Sequence, residues 1–283
     1  MTAILALSAA AIYGTADFCG GVAARRSSPL TVTVLAHVVG LTLLALLLPL
    51  LPAAHVTPAD LAWGALAGAL GGGGLILFYR ALSRGTMSVI APVAALFGAA
   101  LPVVVGVGLG EHLSLPALVG IGVAVAAVAL VSWEATPVHD APRPGLGVRH
   151  PTVLAVAAGL AFGGFFVALS RTHASAGLWP LLSARVVSVA LLGGVSLLTG
   201  RSLRPSPGSR RLIIVAGAGD MVANICYLLA VRRGLVSLVA VIVALYPAAT
   251  VLLAQVVLGE RLRRIQVAGL GLAATAAVLL ALA

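Results

Sequence analysis

Lysine is absent from this chain, and only seven acidic residues stand against seventeen arginines. Charged residues make up 8% of 283 positions, where a soluble domain carries about a quarter. With 61% apolar residues and a mean hydropathy of +1.17, the soluble class is excluded. The chain reads as an all-α, multi-pass integral membrane protein. Its two cysteines, Cys19 and Cys226, both fall inside apolar runs, which excludes a disulfide framework and argues against a metal site. A Walker A loop is also missing, so ATP hydrolysis within this chain is excluded. None of the seven acids pairs as DxxD, which argues against a magnesium-dependent membrane enzyme. No catalytic residue, no cofactor and no metal is therefore expected. The first residues carry no basic segment ahead of their apolar run, which favours a retained first helix over a cleaved signal peptide.

The net charge of +10 and a pI near 11.4 would point to nucleic acid in a soluble chain. Here the arginines sit almost wholly in the turns between apolar runs. The charge reads as a topology signal and a means of meeting anionic lipid headgroups, so membrane lipids, not nucleic acids, are the expected partners.

What the chain has in abundance is apolar runs, and it has one stretch twice. Ala81 to Leu113 and Ala230 to Leu262, 149 residues apart, agree at 14 of 33 positions. Each ends in Leu-Gly-Glu, at Leu109–Glu111 and Leu258–Glu260. A self-similarity this long means two copies of one structural unit. Cutting at charge and proline clusters gives ten apolar spans, near residues 2–24, 30–51, 60–80, 86–109, 115–133, 152–170, 177–199, 211–231, 235–258 and 264–283. Each is close to the roughly 20 residues that a hydrocarbon core requires. The longest polar stretch, 134–150, falls between the copies as a Pro-rich linker, leaving 1–133 and 151–283 as the two five-helix repeats. Five is odd, so the second copy enters the membrane from the opposite side. The fold class expected is ten transmembrane helices as two inverted five-helix repeats, with a site near the midplane between them.

The paired LGE(H/R)L turns, Tyr246, Pro247 and Thr250 upstream of the second, and the duplication itself resemble the EamA-type branch of the drug/metabolite transporter superfamily. The resemblance covers essentially the whole chain and is best in the second copy, since Gly98 stands in the first where Pro247 stands in the second. It implies a secondary transporter, and both termini in the cytoplasm. The arginines vote otherwise: thirteen lie in loops 1–2, 3–4, 5–6, 7–8 and 9–10, which the positive-inside rule places in the cytoplasm with both termini outside. The two readings stand opposed, with the resemblance slightly preferred.

Two local features carry structural expectations. Each Leu-Gly-Glu turn reads as a Gly opening the turn and a Glu capping the helix that follows. Gly71–Gly74, at about 1 kcal/mol of lost helix propensity each, mark either a bend in the third helix or close packing. Pro102 and Pro247 are expected to kink their helices.

Inside a membrane span an ionisable side chain costs ~2.5 to 3.5 kcal/mol, so each is a candidate functional group. Asp17 and His37 lie at similar depth from one face and read as partners, with Tyr13, Gly20 and Gly21 on the Asp17 face of the helix. Arg185 occupies in the second copy the place of His37 in the first, and an arginine there is common in the resembled family. It would attract a carboxylate or phosphate, pair with Asp220, or snorkel to the interface. Asp220, Asn224 and Tyr227 share a helix face, and their first-copy counterparts include Gly71 and Leu75, which makes the site lopsided. Tyr246 is a further candidate for the cavity wall. The substrate and ion-binding candidates are thus Tyr13, Asp17, His37, Arg185, Asp220, Asn224, Tyr227 and Tyr246.

The function expected is export of a small polar or amphipathic metabolite by alternating access, coupled to an ion gradient or to exchange, in a bacterial inner membrane. An integral-membrane enzyme or a lipid-flippase-like subunit is the alternative.

Overall fold

The computed structural model describes residues 1–50, 53–132, 150–259 and 264–282, which form helices and short turns with no strand among them. The expected linker, except His150, and Glu260 lie outside the described residues. The first copy supplies α1 (Thr2–Ala24), α2 (Pro29–Leu47), α3 (Pro58–Leu82), α4 (Met87–Gly108) and α5 (Leu115–Ser132). The second supplies α6 (Pro151–Ser170), α7 (Trp179–Leu198), α8 (Ser209–Val231), α9 (Val236–Val243), α10 (Pro247–Leu258) and α11 (Arg264–Leu282). With α9 and α10 counted as one span, eight are long and apolar enough to cross a membrane, and α5 and α11 carry shorter apolar stretches.

Several helices start on proline, whose missing amide is no loss in the first turn. Ser28 and His150 accept the Thr31 and Thr152 amides ahead of Pro29 and Pro151. Thr57 and Asp60 form a reciprocal capping box around Pro58.

The copies interlock. Helix α1 packs on α8 as α3 packs on α6, so equivalent pairs are exchanged between copies, and α5 packs on α11. Each pair is antiparallel: at one end of α1 the Thr2 hydroxyl reaches the Arg233 carbonyl at 3.3 Å, and beyond its other end the Ser206 amide donates to Ser27 Oγ at 2.9 Å. Small residues set the crossings. A side chain at Gly68 of α3 would strike the Ala184 backbone of α7, and one at Gly217 of α8 would strike the Ala36 backbone of α2. Those two glycines are 149 residues apart, so one crossing is built twice.

The two ends of the bundle differ in chemistry. One gathers Arg80, Arg84 and Arg201 around a surface cleft, with Arg26 bonded nearby to Ser206 through its carbonyl. The other is tied by two carboxylates, the buried Asp60 and the partly exposed Glu111, that reach across the copies. Asp60 accepts from the His173 amide at 2.7 Å and from its Nδ1 at 3.0 Å, while Arg232 donates to the His173 carbonyl at 2.9 Å. Glu111 accepts from the Val236 and Ser237 amides at 2.7 and 3.2 Å. It therefore caps α9 of the other copy, not the following helix α5, because Gly110 at φ 89° turns the chain back over α4. This corrects the local capping expected for Glu111.

Two further expectations change. Helix α3 runs unbroken through Gly71–Gly74, where side chains at Gly71, Gly72 and Gly74 would press on Phe165, Ser188 and Phe162. Three of the four glycines serve close packing, Gly73 meets nothing within 4 Å, and the helix is not interrupted there. The fourth helices differ between copies: α4 stays continuous through Pro92 and Pro102, whereas its counterpart divides into α9 and α10. Pro247 cannot donate to the Val243 carbonyl, which accepts the Tyr246 amide instead at 3.0 Å. Pro102 leaves its helix unbroken, and at the position equivalent to Pro247 Gly98 keeps its amide.

Candidate functional site

A cavity of about 60 Å³ lies between the copies, near the middle of the long helices. Tyr13 and Asp17 reach it from α1, His37 from α2, Arg185 from α7, and Asp220 and Asn224 from α8. Ala244 and Tyr246 border it at the turn where the α9–α10 span is interrupted. The opposite wall is aromatic: α6 places Phe162, Phe165 and Phe166 there, one helical turn's worth of side chains on one face.

Arg185, 6% exposed, forms an ion pair with Asp220 across the α7–α8 gap. The pair is extended by neutral groups. Asn224 Nδ2 donates to the Asp220 carboxylate at 3.1 Å and to its carbonyl at 2.7 Å, and the Tyr13 hydroxyl donates to Asn224 Oδ1 at 2.8 Å. Snorkelling of Arg185 toward the interface is excluded by its burial and its partner. Each member is held by the next, which fixes the guanidinium as a wall element of the cavity.

His37 turns away from the expected partner. Its Nδ1 pairs with Ser188 Oγ at 2.8 Å, and that hydroxyl donates to the Arg185 carbonyl at 3.1 Å, which makes Nδ1 the donor. Asp17 and His37 line the same cavity but are not bonded to each other. The Asp17 carboxyl, 8% exposed, has no hydrogen-bond or ion-pair partner among the described residues. An acid so buried and unpartnered is costly, and such groups mark ligand or ion pathways in membrane proteins.

Beside Asp17 the room expected at Gly20 and Gly21 is filled. The Tyr79 ring lies over Gly20, and Leu82 with Met87 over Gly21, so those glycines seat side chains and add nothing to the cavity. Tyr227 also lies outside the cavity: its ring stacks on Phe166 at 4.4 Å and its hydroxyl donates to the Phe166 carbonyl at 2.8 Å. It backs the aromatic wall. Tyr246 does border the cavity and is anchored by a 3.1 Å bond to the Ala91 carbonyl.

Sequence reasoning missed the aromatic wall and Ser188. The signal for the wall is the run Phe162-Gly-Gly-Phe165-Phe166, in which glycines admit close neighbours and leave three rings on one side. Ser188 lies three residues after Arg185, on the same face of α7. Among the described residues no cluster of three or more metal-ligating side chains occurs.

The EamA-like transporter family model matches residues 1–133 and 151–282. A solved structure described as "Crystal structure of protein" covers 99% of this chain and 96% of its own at 19% identity, with a TM-score of 0.72, a likeness of fold. No curated protein matches the sequence.

Proposed function

Because the chain belongs to the EamA-like transporter family and is a multi-pass membrane protein, we propose that it exports a small polar or amphipathic metabolite through the central cavity by alternating access. The observation that carries this reading is a cavity near mid-helix, lined by both copies, that holds one unpartnered carboxyl, Asp17. Substrate seated there contacts both halves at once, so a rocking of one copy against the other exposes it first to one face and then to the other. Closure at one end rests on the Asp60–His173 and Glu111–α9 bonds, which join the copies and must part for that end to open. Energy comes from an ion gradient or from exchange, with Asp17 as the group that gains and loses a cation. The chain works in this way in the inner membrane of a bacterial cell.

The test is a metabolite-loading comparison of cells with and without the protein, followed by flux in sealed vesicles for any metabolite that differs. Export that depends on the wild-type chain and falls at least tenfold in Asp17→Asn, with unchanged protein level, is the expected result. Equal metabolite pools in the two cell types, across the loaded compounds, would sink the transport reading.

A further inference from the structure

The central cavity has a dry neighbour. Between α4, α5 and α9 lies a second cavity of about 230 Å³, lined only by Ala, Val, Leu and Ile side chains. Ala95 and Ala244 line both cavities, so these two small residues stand between the polar site and this chamber. At its rim Val104 and Val125 are 69% and 45% exposed on the outer surface of the bundle, which in a membrane is the lipid side. Apolar voids of this kind exclude water, and walls without partner atoms forfeit contacts throughout a close-packed interior. Hydrocarbon is the matter that fits.

Charge accounting in the adjoining site says what the hydrocarbon is attached to. Arg185 and Asp220 neutralise one another, and the remaining acid, Asp17, has no partner among the described residues. Once ionised, Asp17 is a negative charge that the Arg185–Asp220 pair does not compensate, in a cavity that Phe165 and Phe166 also line. Such a setting favours a cationic group, through the carboxylate and through the ring quadrupoles. The geometry points to a small amphiphilic amine as the ligand class, with its ammonium group at Asp17 and a short apolar tail passing between Ala95 and Ala244 into the chamber walled by α4, α5 and α9. This rests on the proposed function for its role as substrate, and it commits the chamber to the tail of the central ligand and not to a bilayer lipid.

The experiment is titration calorimetry on the full chain in nanodiscs, with empty nanodiscs subtracted. The probes are butylamine, hexylamine and octylamine, each against the carboxylate of equal length. Wild type is expected to prefer amines and to gain about fourfold in affinity per methylene until the chamber is full. Ala99 lines only the apolar chamber, so Ala99→Phe should weaken octylamine about tenfold while moving butylamine less than about twofold. Ala99→Leu, the gentler filling, should do the same to a smaller degree, and serves if the phenylalanine variant fails to fold. Asp17→Asn should weaken all three amines by a similar factor. Carboxylates binding as well as amines would overturn the head assignment. Chain-length dependence that survives both Ala99 variants would overturn the tail assignment and leave the chamber to lipid. The transport reading fails separately: amine binding as described, without flux in sealed vesicles, would refute transport and leave the ligand class standing.

Discussion

Gly68 and Gly217 stand 149 residues apart and make one contact in two places, each laid against an alanine backbone in the second helix of the other copy. Gly71 and Asp220 stand at the same spacing and have nothing in common but their position. The same contrast runs through the cavity: Asp17 answers to Phe166 in the second copy, Tyr13 to Phe162, and Leu75 to Asn224. At this crossing both copies have kept a glycine, whereas the polar groups that line the cavity, Tyr13, Asp17, Asp220 and Asn224, each have an unlike counterpart. A backbone crossing constrains both copies alike through sterics, while ligand chemistry needs each group only once.

That contrast can be broken in an all-or-none way. His55, between α2 and α3, and Arg204, between α7 and α8, occupy equivalent exposed loops. In a chain with Cys19 and Cys226 replaced by alanine, cysteines at 55 and 204 should label from opposite membrane faces. Labelling of both from one face would end the inverted arrangement.

The next effect is on the pair that only the second copy carries. Asp220→Asn leaves the Arg185 guanidinium buried without its counter-ion, which should destabilise by about 3–5 kcal/mol in thermal unfolding in detergent. Asp220→Asn with Arg185→Gln should recover most of that stability while transport stays low. A stable single variant with full transport would remove the pair from both structure and mechanism.

Duplicated crossings should respond as a matched set. Gly68→Val and Gly217→Val each drive a side chain into neighbouring backbone and should lose about 1–3 kcal/mol, with similar values for the two. Gly73, where an added side chain meets nothing within 4 Å, is the control: Gly73→Ala should gain up to about 1 kcal/mol from helix propensity. Unequal losses at the two crossings would mean that the frame, too, has diverged.

The smallest effect concerns the tie across copies. Glu111→Gln keeps the shape but weakens two charge-assisted bonds to the α9 amides, for a loss of about 1 kcal/mol. Hydrogen exchange at Val236 and Ser237 should rise more than at Met87, the start of α4. Unchanged exchange there would show that α9 does not depend on this cap.

Much of the frame was legible because membrane spans announce themselves by length and the duplication by spacing. The division of the ninth span followed from Pro247, whereas the continuity of α4 through Pro102, with Gly98 keeping the amide that proline lacks, was not expected. What remained hidden were choices among partners of similar depth. Helical rise gives the level of Asp17 and His37 but not their rotation, and a rotation toward α7 took His37 to Ser188. Tyr227 shows the same limit: spacing of seven from Asp220 puts both on one face, yet the ring lies beneath Phe166 and outside the cavity. Glu111 could not be assigned to α9 from sequence, since its acceptors' partners begin 125 residues later.

The exchange of partners between copies also sets a timetable. Tyr13 and its acceptor Asn224 are separated by 211 residues, and His37 and Ser188 by 151. At the usual pace of synthesis, roughly 5–20 residues per second, α1 stands in the bilayer on the order of ten to forty seconds before α8 exists to receive it. Throughout that interval a tyrosine hydroxyl and a carboxyl face lipid or whatever insertion machinery shields them. The nascent chain is therefore most exposed to misassembly and proteolysis after its fifth helix and before its eighth, and a pause in translation within that window should lower yield more than a pause placed after α8.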